Sequence, residues 1–358
     1  AVDTFSTAVT ALHEAGMVTD ELGATVVLAD MLRSPGRPGE APRPPQRALA
    51  AAEGRGGPTL CTIGDLHVGL ADALREQGDL DAAAEHLDVA RGLGDRASLP
   101  ENRHRWFTTA AGLLRAQGDL DGAVALLYRA EPLFLPGYFP DVRPIPAARA
   151  RVWIAQGRLD EARAWARERE IAATGPPSYL DEYARLTLAR LLVADGRAGE
   201  ALDLLDSVLE GARAAGREGS VVEAGLLRAL AHRGLADAEA ATADLASALT
   251  AGVPAGYCRL FLDEGRPMAE LLGRLARGPA VDARAHAESL LAVASRPATR
   301  SPAGPATDDG LSEREREVLR LLATELSGPE IAREHIFTKL HVNTRRAAIR
   351  RAADLGLL

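Results

Sequence analysis

The sequence predicts an all-α protein, a superhelix of stacked helix pairs with a small helical domain at its C-terminal end. Three observations predict it. Alanine, leucine, arginine, glutamate and aspartate dominate the 358 residues, and only 4% are aromatic, which is the profile of helices packed through small and aliphatic side chains. One phrase (an apolar helix, a glycine turn and a second helix rich in Ala and Leu) returns six times between residues 20 and 250. Finally, the last 48 residues hold two S-x-x-E helix starts, at Ser312 with Glu315 and at Ser327 with Glu330, where each side chain can satisfy an orphan backbone N–H.

The repeat reads ADALREQGDLDAAAEHL, AGLLRAQGDLDGAVALL, ARVWIAQGRLDEARAWA and ARLLVADGRAGEALDLL, with weaker copies ADMLRSPGRPGEAPRPP and LRALAHRGLADAEAATA. Its turn glycines are expected at Gly36, Gly78, Gly118, Gly157, Gly196 and Gly234, spaced 42, 40, 39, 39 and 38 residues apart. Glycine ends the first helix in a left-handed conformation without a Cβ penalty. The second helix folds back, and the apolar face of each pair is covered by the next pair. The period slightly exceeds the roughly 34 residues of an ordinary tetratricopeptide repeat. It resembles instead the longer tetratricopeptide-like repeats of the MalT-like sensor domain, and the resemblance runs through GYCRLFLDEGRPMAELL at Gly256–Leu272. In the first copy Pro42, Pro44 and Pro45 stand where the second helix should begin, so that helix is expected to start late, near Pro45, or the terminal pair to be frayed.

The expected organisation is a sensor solenoid over 1–272, terminal helices over 273–294, a flexible Pro/Ser/Thr/Gly-rich linker over 295–310 and a DNA-binding domain over 311–358. In that last domain Val318, Leu319 and Leu322 fall on one helical face, and Pro329 sits in the first turn of a second helix anchored by Ile331. Two short helices meeting at a capped turn make a helix-turn-helix scaffold. Together with SGPEIA at Ser327–Ala332, FTKLHVNTRRAA at Phe337–Ala348 and the terminal ADLGLL, they resemble the LuxR-type domain that closes large MalT-like transcriptional regulators. That resemblance implies a recognition helix between Glu334 and His335, where roughly a dozen residues are absent. The expectation is an omitted segment, in keeping with a chain that opens on Ala1 rather than Met. The same resemblance implies DNA-backbone contacts from Ser327, Lys339, Asn343, Thr344, Arg345 and Arg346.

Charge is unevenly placed. The net charge is −8, yet residues 311–358 carry nine Lys or Arg against seven Asp or Glu, and over 335–358 the balance is five to one. A basic end on an acidic body suits a DNA-binding tail, and equally one solvated helix face. Cys61 and Cys258 stand far apart and read as two reduced, buried thiols in a cytoplasmic protein. No uninterrupted apolar stretch reaches membrane-spanning length, and no signal segment opens the chain. No cofactor and no metal site are expected; His335 and His341 share no face and have no cysteine nearby. Enzyme activity is not expected either. No G-x-x-x-x-G-K-[ST] loop occurs, although the MalT-like resemblance implies an NTPase module upstream, and His13–Glu14 lack a second histidine.

An effector site is expected on the concave side, lined by the first helix of each pair. Asp65, Asn102, Arg105, Trp106, Tyr138, Asp141, Arg143, Tyr179 and Tyr183 are its candidates, with planar arginines for an anionic or hydroxylated ligand and rings to stack it. The competing reading makes the rings inter-repeat packing and pairs the charges across helices. The expected function is a DNA-binding transcriptional regulator acting on double-stranded DNA, with a small-molecule or protein effector and a homodimer as possible partners. The alternative is a ligand- or protein-binding scaffold that has lost DNA recognition.

Overall fold

The computed structural model describes residues 2–33, 38–53, 60–94, 97–138, 140–171 and 178–296, and every regular element among them is a helix. The turn phrase explains why the helices come in antiparallel pairs. At the end of α6 (Arg103–Gln117) Gly118 takes φ +89°, its N–H donates to Arg115 O at 3.1 Å, and the Asp119 N–H donates to Leu114 O at 2.9 Å. A left-handed residue thereby closes the helix and satisfies its last carbonyls. The Asp119 carboxylate then accepts from the Gly122 N–H at 2.9 Å and caps α7 (Leu120–Ala130). Gly-Asp-Leu is thus a stop, a cap and a restart in three residues.

The same chemistry joins α4 (Ile63–Glu76) to α5 (Leu80–Leu93), where Asp79 accepts from the Ala82 N–H. Between α8 (Ile145–Ala155) and α9 (Leu159–Glu168), and between α10 (Tyr179–Ala194) and α11 (Ala198–Ala214), the glycine remains but an arginine stands at the cap. Arg158 and Arg197 make no capping bond; each holds the glutamate three residues on, Glu161 at 2.8 Å and Glu200 at 2.7 Å.

The sixth copy corrects the expected register. Gly234 is the last residue of α12 (Glu218–Gly234), and the left-handed residue is Ala236, at φ +61°. Asp237 follows it and accepts from the Ala240 N–H at 3.0 Å to start α13 (Ala238–Ala255). The cap, not the glycine, marks the turn. From Gly196 to Ala236 the period is 40 residues rather than 38.

At the N-terminal end α1 (Val2–Glu14) packs on α2 (Val18–Arg33), and α2 packs on α3 (Arg43–Glu53). The prolines delay α3 less than expected: Pro44 and Pro45 lie in its first turn, where a missing N–H costs nothing. After α13 come α14 (Arg259–Leu262), α15 (Arg266–Leu275) and α16 (Val281–Ala294), so helix does continue beyond Leu272 to Ala294.

Each first helix packs on its own partner and on a neighbouring pair: α4 on α5 and α6, α8 on α9 and α10, α10 on α11 and α12. Alanines set this close approach. Ala71, Ala110, Ala150, Ala189 and Ala229 supply one buried methyl per first helix, and Ala83, Ala123, Ala162, Ala201 and Ala241 one per second helix, all at 0% exposure. A larger side chain at these positions would overfill the seam. Leucines such as Leu87, Leu205 and Leu245 fill the space one turn on. One apolar core runs from α10 to α16, a second from α4 to α10, and smaller clusters sit beneath the N-terminal helices. The described residues belong to one compact unit. The linker from residue 297 onward and the whole of 311–358 lie outside the described residues.

Candidate functional site: the arginine-lined inner face

Four successive first helices each contribute one arginine to the face they share: Arg75 from α4, Arg115 from α6, Arg151 from α8 and Arg190 from α10. Arg75 and Arg115 lie three residues before their turn glycines, Arg151 and Arg190 six before. Positions three apart share one helical face, so the four side chains point to the same side of the array. They meet Glu223 of α12 and the segment from Cys258 to Glu264, which contains α14, and Arg75 also pairs with Glu76 and Asp72 of its own helix.

The contacts are dense and mostly charge-assisted. Arg75 Nη1 lies 3.1 Å from Asp263 Oδ2, and Arg115 Nη2 donates to the Asp263 main-chain carbonyl at 2.9 Å. Arg190 bridges Glu264 Oε1 and Glu223 Oε1, each at 2.7 Å, and Arg151 Nη1 shares Glu223 at 2.9 Å. Arg151 also donates to Thr187 Oγ1 at 2.8 Å and lies over the Tyr183 ring, 3.5 Å from its centroid. Arg259 closes the circuit, pairing with Asp263 Oδ1 and donating to Ala116 O at 3.1 Å. The side chains of Arg75, Arg151, Arg190, Glu223, Asp263 and Glu264 are only 5–13% exposed.

Burial and pairing compete at each group. Burial works to raise the Glu223 carboxyl, but Arg151 and Arg190 overcome it and hold it at about 2. Asp263 shifts down for the same reason, with Arg115, Arg259 and Arg75 outweighing burial. Glu76 goes the other way: burial, with Asp263 and Asp72 nearby, raises it in spite of Arg75. Arg151 is lowered by burial and by the neighbouring Arg190 cation. The Cys258 thiol, in the same pocket of charge, is pushed up to about 12 by burial and then by Glu76, which makes it a poor nucleophile. Cys61, expected to be buried, is exposed, because it lies in the turn preceding α4 rather than on a packed helix face.

The residues singled out in the sequence do not form one cluster. Asp65 and Asn102 come together, but as a clamp on the loop before α6: buried Asp65 accepts from Asn102 Nδ2 at 2.8 Å, Ser98 Oγ at 2.6 Å and the Leu99 N–H at 3.1 Å. Its carboxyl is raised by burial, those hydrogen bonds opposing, and Arg105 is an electrostatic neighbour. Trp106 donates to Leu87 O at 2.9 Å and stacks edge-on with Phe107, a seam contact. Tyr138 is exposed and Asp141 faces Arg169 in the connection between α7 and α8. Tyr179, 40% exposed, has Arg217 over its ring. Tyr183 and Arg143 do reach the inner face, Tyr183 beneath Arg151 and Arg143 as an electrostatic neighbour of Glu223. Ser327, Lys339, Asn343, Thr344, Arg345 and Arg346 lie outside the described residues.

The arginine ladder was missed because sequence reasoning weighed rare aromatics above common arginines. The findable signal was one arginine in the closing turns of each first helix. Among the described residues no helix is long and apolar enough to cross a membrane, and no group of three or more His, Cys, Asp or Glu side chains is placed to hold a metal ion.

A helical-repeat array is also what comparison with known families finds. The description "MalT-like TPR region" matches residues 1–277. The chain belongs to that family. The match takes in the whole MalT-like array through α15, including the Cys258–Glu264 segment. No curated protein matches the chain. Similar solved structures include the apo form of RapI, at 11% identity over 88% of this chain and 85% of that one with a TM-score of 0.43. A second is NprR in complex with its cognate peptide NprX, at 12% identity over 94% and 99% with a TM-score of 0.39.

Proposed function

We propose that the chain is a DNA-binding transcriptional regulator in which the MalT-like repeat array is the sensor and residues 311–358 form a LuxR-type helix-turn-helix. The observation that carries the reading is the combination of the family match over 1–277 with the two capping boxes, FTKLHVNTRRAA and the five-to-one basic balance over 335–358. Lys339, Asn343, Thr344, Arg345 and Arg346 supply phosphate contacts, with Ser327 capping the scaffold helix. The sensor shifts the DNA-binding end between two states by binding its effector better in one of them. A homodimer reading two half-sites fits this scheme. The chain acts without a cofactor and catalyses no reaction of its own.

The test is titration with promoter-proximal double-stranded DNA over a range of salt. Binding should weaken steeply with salt, as phosphate neutralisation demands; absence of binding at low salt overturns the reading. A second reading rests on the direct run from Glu334 into His335, which leaves no recognition helix. In that case the chain is a ligand- or protein-binding scaffold. Tryptic mass mapping separates the two: the peptide Glu334–Lys339, EHIFTK, marks the scaffold, and a basic peptide set between Glu334 and His335 marks the DNA-binding regulator.

A further inference from the structure

In a repeat array each unit touches its neighbours alone. The segment from Ala255 to Glu264 departs from that rule. The Gly39 N–H donates to Ala255 O at 2.8 Å, the Cys258 N–H to Glu76 O at 3.2 Å, and the Leu260 N–H to Glu76 Oε1 at 2.8 Å. Further along, the Asp263 carbonyl takes Arg115, and the Asp263 and Glu264 carboxylates take Arg75 and Arg190. Main chain and carboxylates are satisfied together by α4, α6 and α10, as when a groove holds an acidic peptide.

We propose that the inner face is a receptor groove for an acidic segment, occupied here in cis by the chain's own Cys258–Glu264, and that an anionic effector opens the array by taking the place of that segment. The proposal rests on the sensor reading and adds the chemistry of the effector. Withdrawal of Asp263 and Glu264 would leave the inner face short of counter-charge, with Arg75 held only by Glu76 and Asp72 and Arg190 only by the Glu223 it shares with Arg151, which is costly. Whatever replaces the segment must therefore bring carboxylate or comparable anionic groups. The effector site is closed until then, because the side chains that would hold the ligand already hold the segment. Opening also reaches the end of the repeat unit. A Cβ built on Gly78 would lie 2.7 Å from Val293 Cγ1, so α16 closes over the same turn that Cys258 contacts.

The geometry offers a lock. That Cβ would lie 3.0 Å from Cys258 Sγ and 3.9 Å from Cys258 Cβ, inside the window of about 3.5–4.5 Å between Cβ atoms that a disulfide needs. A Gly78→Cys, Val293→Ala chain, oxidised so that the new thiol joins Cys258, should hold the segment in place. The experiment is hydrogen exchange on the full chain in three forms: wild type, Asp263→Asn with Glu264→Gln, and the oxidised lock. The double variant should exchange about tenfold faster or more over Cys258–Glu264, with Leu226–Leu249 unchanged, and the lock should slow the same amides. The acetylated, amidated peptide RLFLDEG, added in trans, should bind the double variant and not the lock. Unchanged exchange in the double variant overturns the proposal, as does a rise that spreads equally through Leu226–Leu249, because the segment is then ordinary core. Failure of the peptide to bind the double variant overturns the receptor groove. No readout uses DNA, so loss of the DNA-binding reading would leave these results standing.

Discussion

Between α12 and α13 the fully buried contact is apolar and local, with Leu226, Leu227, Leu245 and Leu249 all at 0% exposure between helices joined by a single turn and the Arg228–Asp244 pair at its more exposed edge. Between α4 and the Cys258–Glu264 segment it is polar and spans 184 residues of chain, from Glu76 to Leu260. The two regions hold one array together in different ways. Leucine contacts stabilise in proportion to the apolar area they bury and have no direction. The arginine–carboxylate circuit stabilises little in net terms, because desolvation offsets the attraction, but it fixes which groups meet. The seam supplies stability and the inner face supplies a defined closure.

The sharpest way to break that comparison is at Arg190. Its removal in Arg190→Ala leaves Glu223 and Glu264 buried beside one fewer cation, and should lower unfolding free energy by about 3–5 kcal/mol in denaturant titration. Replacement of the pair (Arg190→Met and Glu264→Leu), which leaves Glu223 with Arg151, should recover most of that loss. If the double variant is as unstable as the single one, the circuit is a net source of stability and the contrast fails. At the seam, Leu227→Ala should cost about 2–5 kcal/mol by the same measurement, through lost transfer free energy and the cavity left behind, and no partner change should rescue it.

Acid separates the regions next. Glu223 has a folded-state value near 2, below its unfolded one, so its contribution is complete above the ordinary glutamate value of about 4.3 and is lost as pH falls toward 2. Thermal melts from pH 6 down to pH 3 should show a falling midpoint. Glu223→Gln should flatten that fall, whereas Leu227→Ala should shift the whole curve down without changing its slope. The smallest effect is expected at the turns. Ala236→Gly should stabilise by about 1 kcal/mol, because a Cβ disfavours the left-handed conformation, and Gly196→Ala should destabilise by a similar amount. Equal signs for the two would show that Ala236 is not the turn residue in solution.

Much of the array was legible in the residues. The glycine turns at Gly78, Gly118, Gly157 and Gly196 stand where the phrase placed them, each at positive φ. The reading slipped where glycine and cap part company, at Gly234 against Ala236–Asp237, because glycine identity was given more weight than the cap. The inner face was scarcely legible. Asp65 and Asn102 belong to a loop clamp and Trp106 to a seam, while Arg75, Arg115, Arg151 and Arg190 were not singled out in the sequence. A helical arginine is usually a surface residue, and only the arrival of Glu223, Asp263 and Glu264 from farther along the chain distinguishes these four.

Local chemistry by itself determined the helices, their pairing and the MalT-like period, because caps, turns and alanine seams act over a few residues and each is written in consecutive positions. Which face of the array is closed, and by what, was decided by the tertiary structure. Arg190 meets Glu264 across 74 residues and Arg75 meets Asp263 across 188, and a pairing at that distance depends on how many repeats intervene and how far each turns. Those rotations come from packing summed over the whole array, which no single stretch of sequence contains.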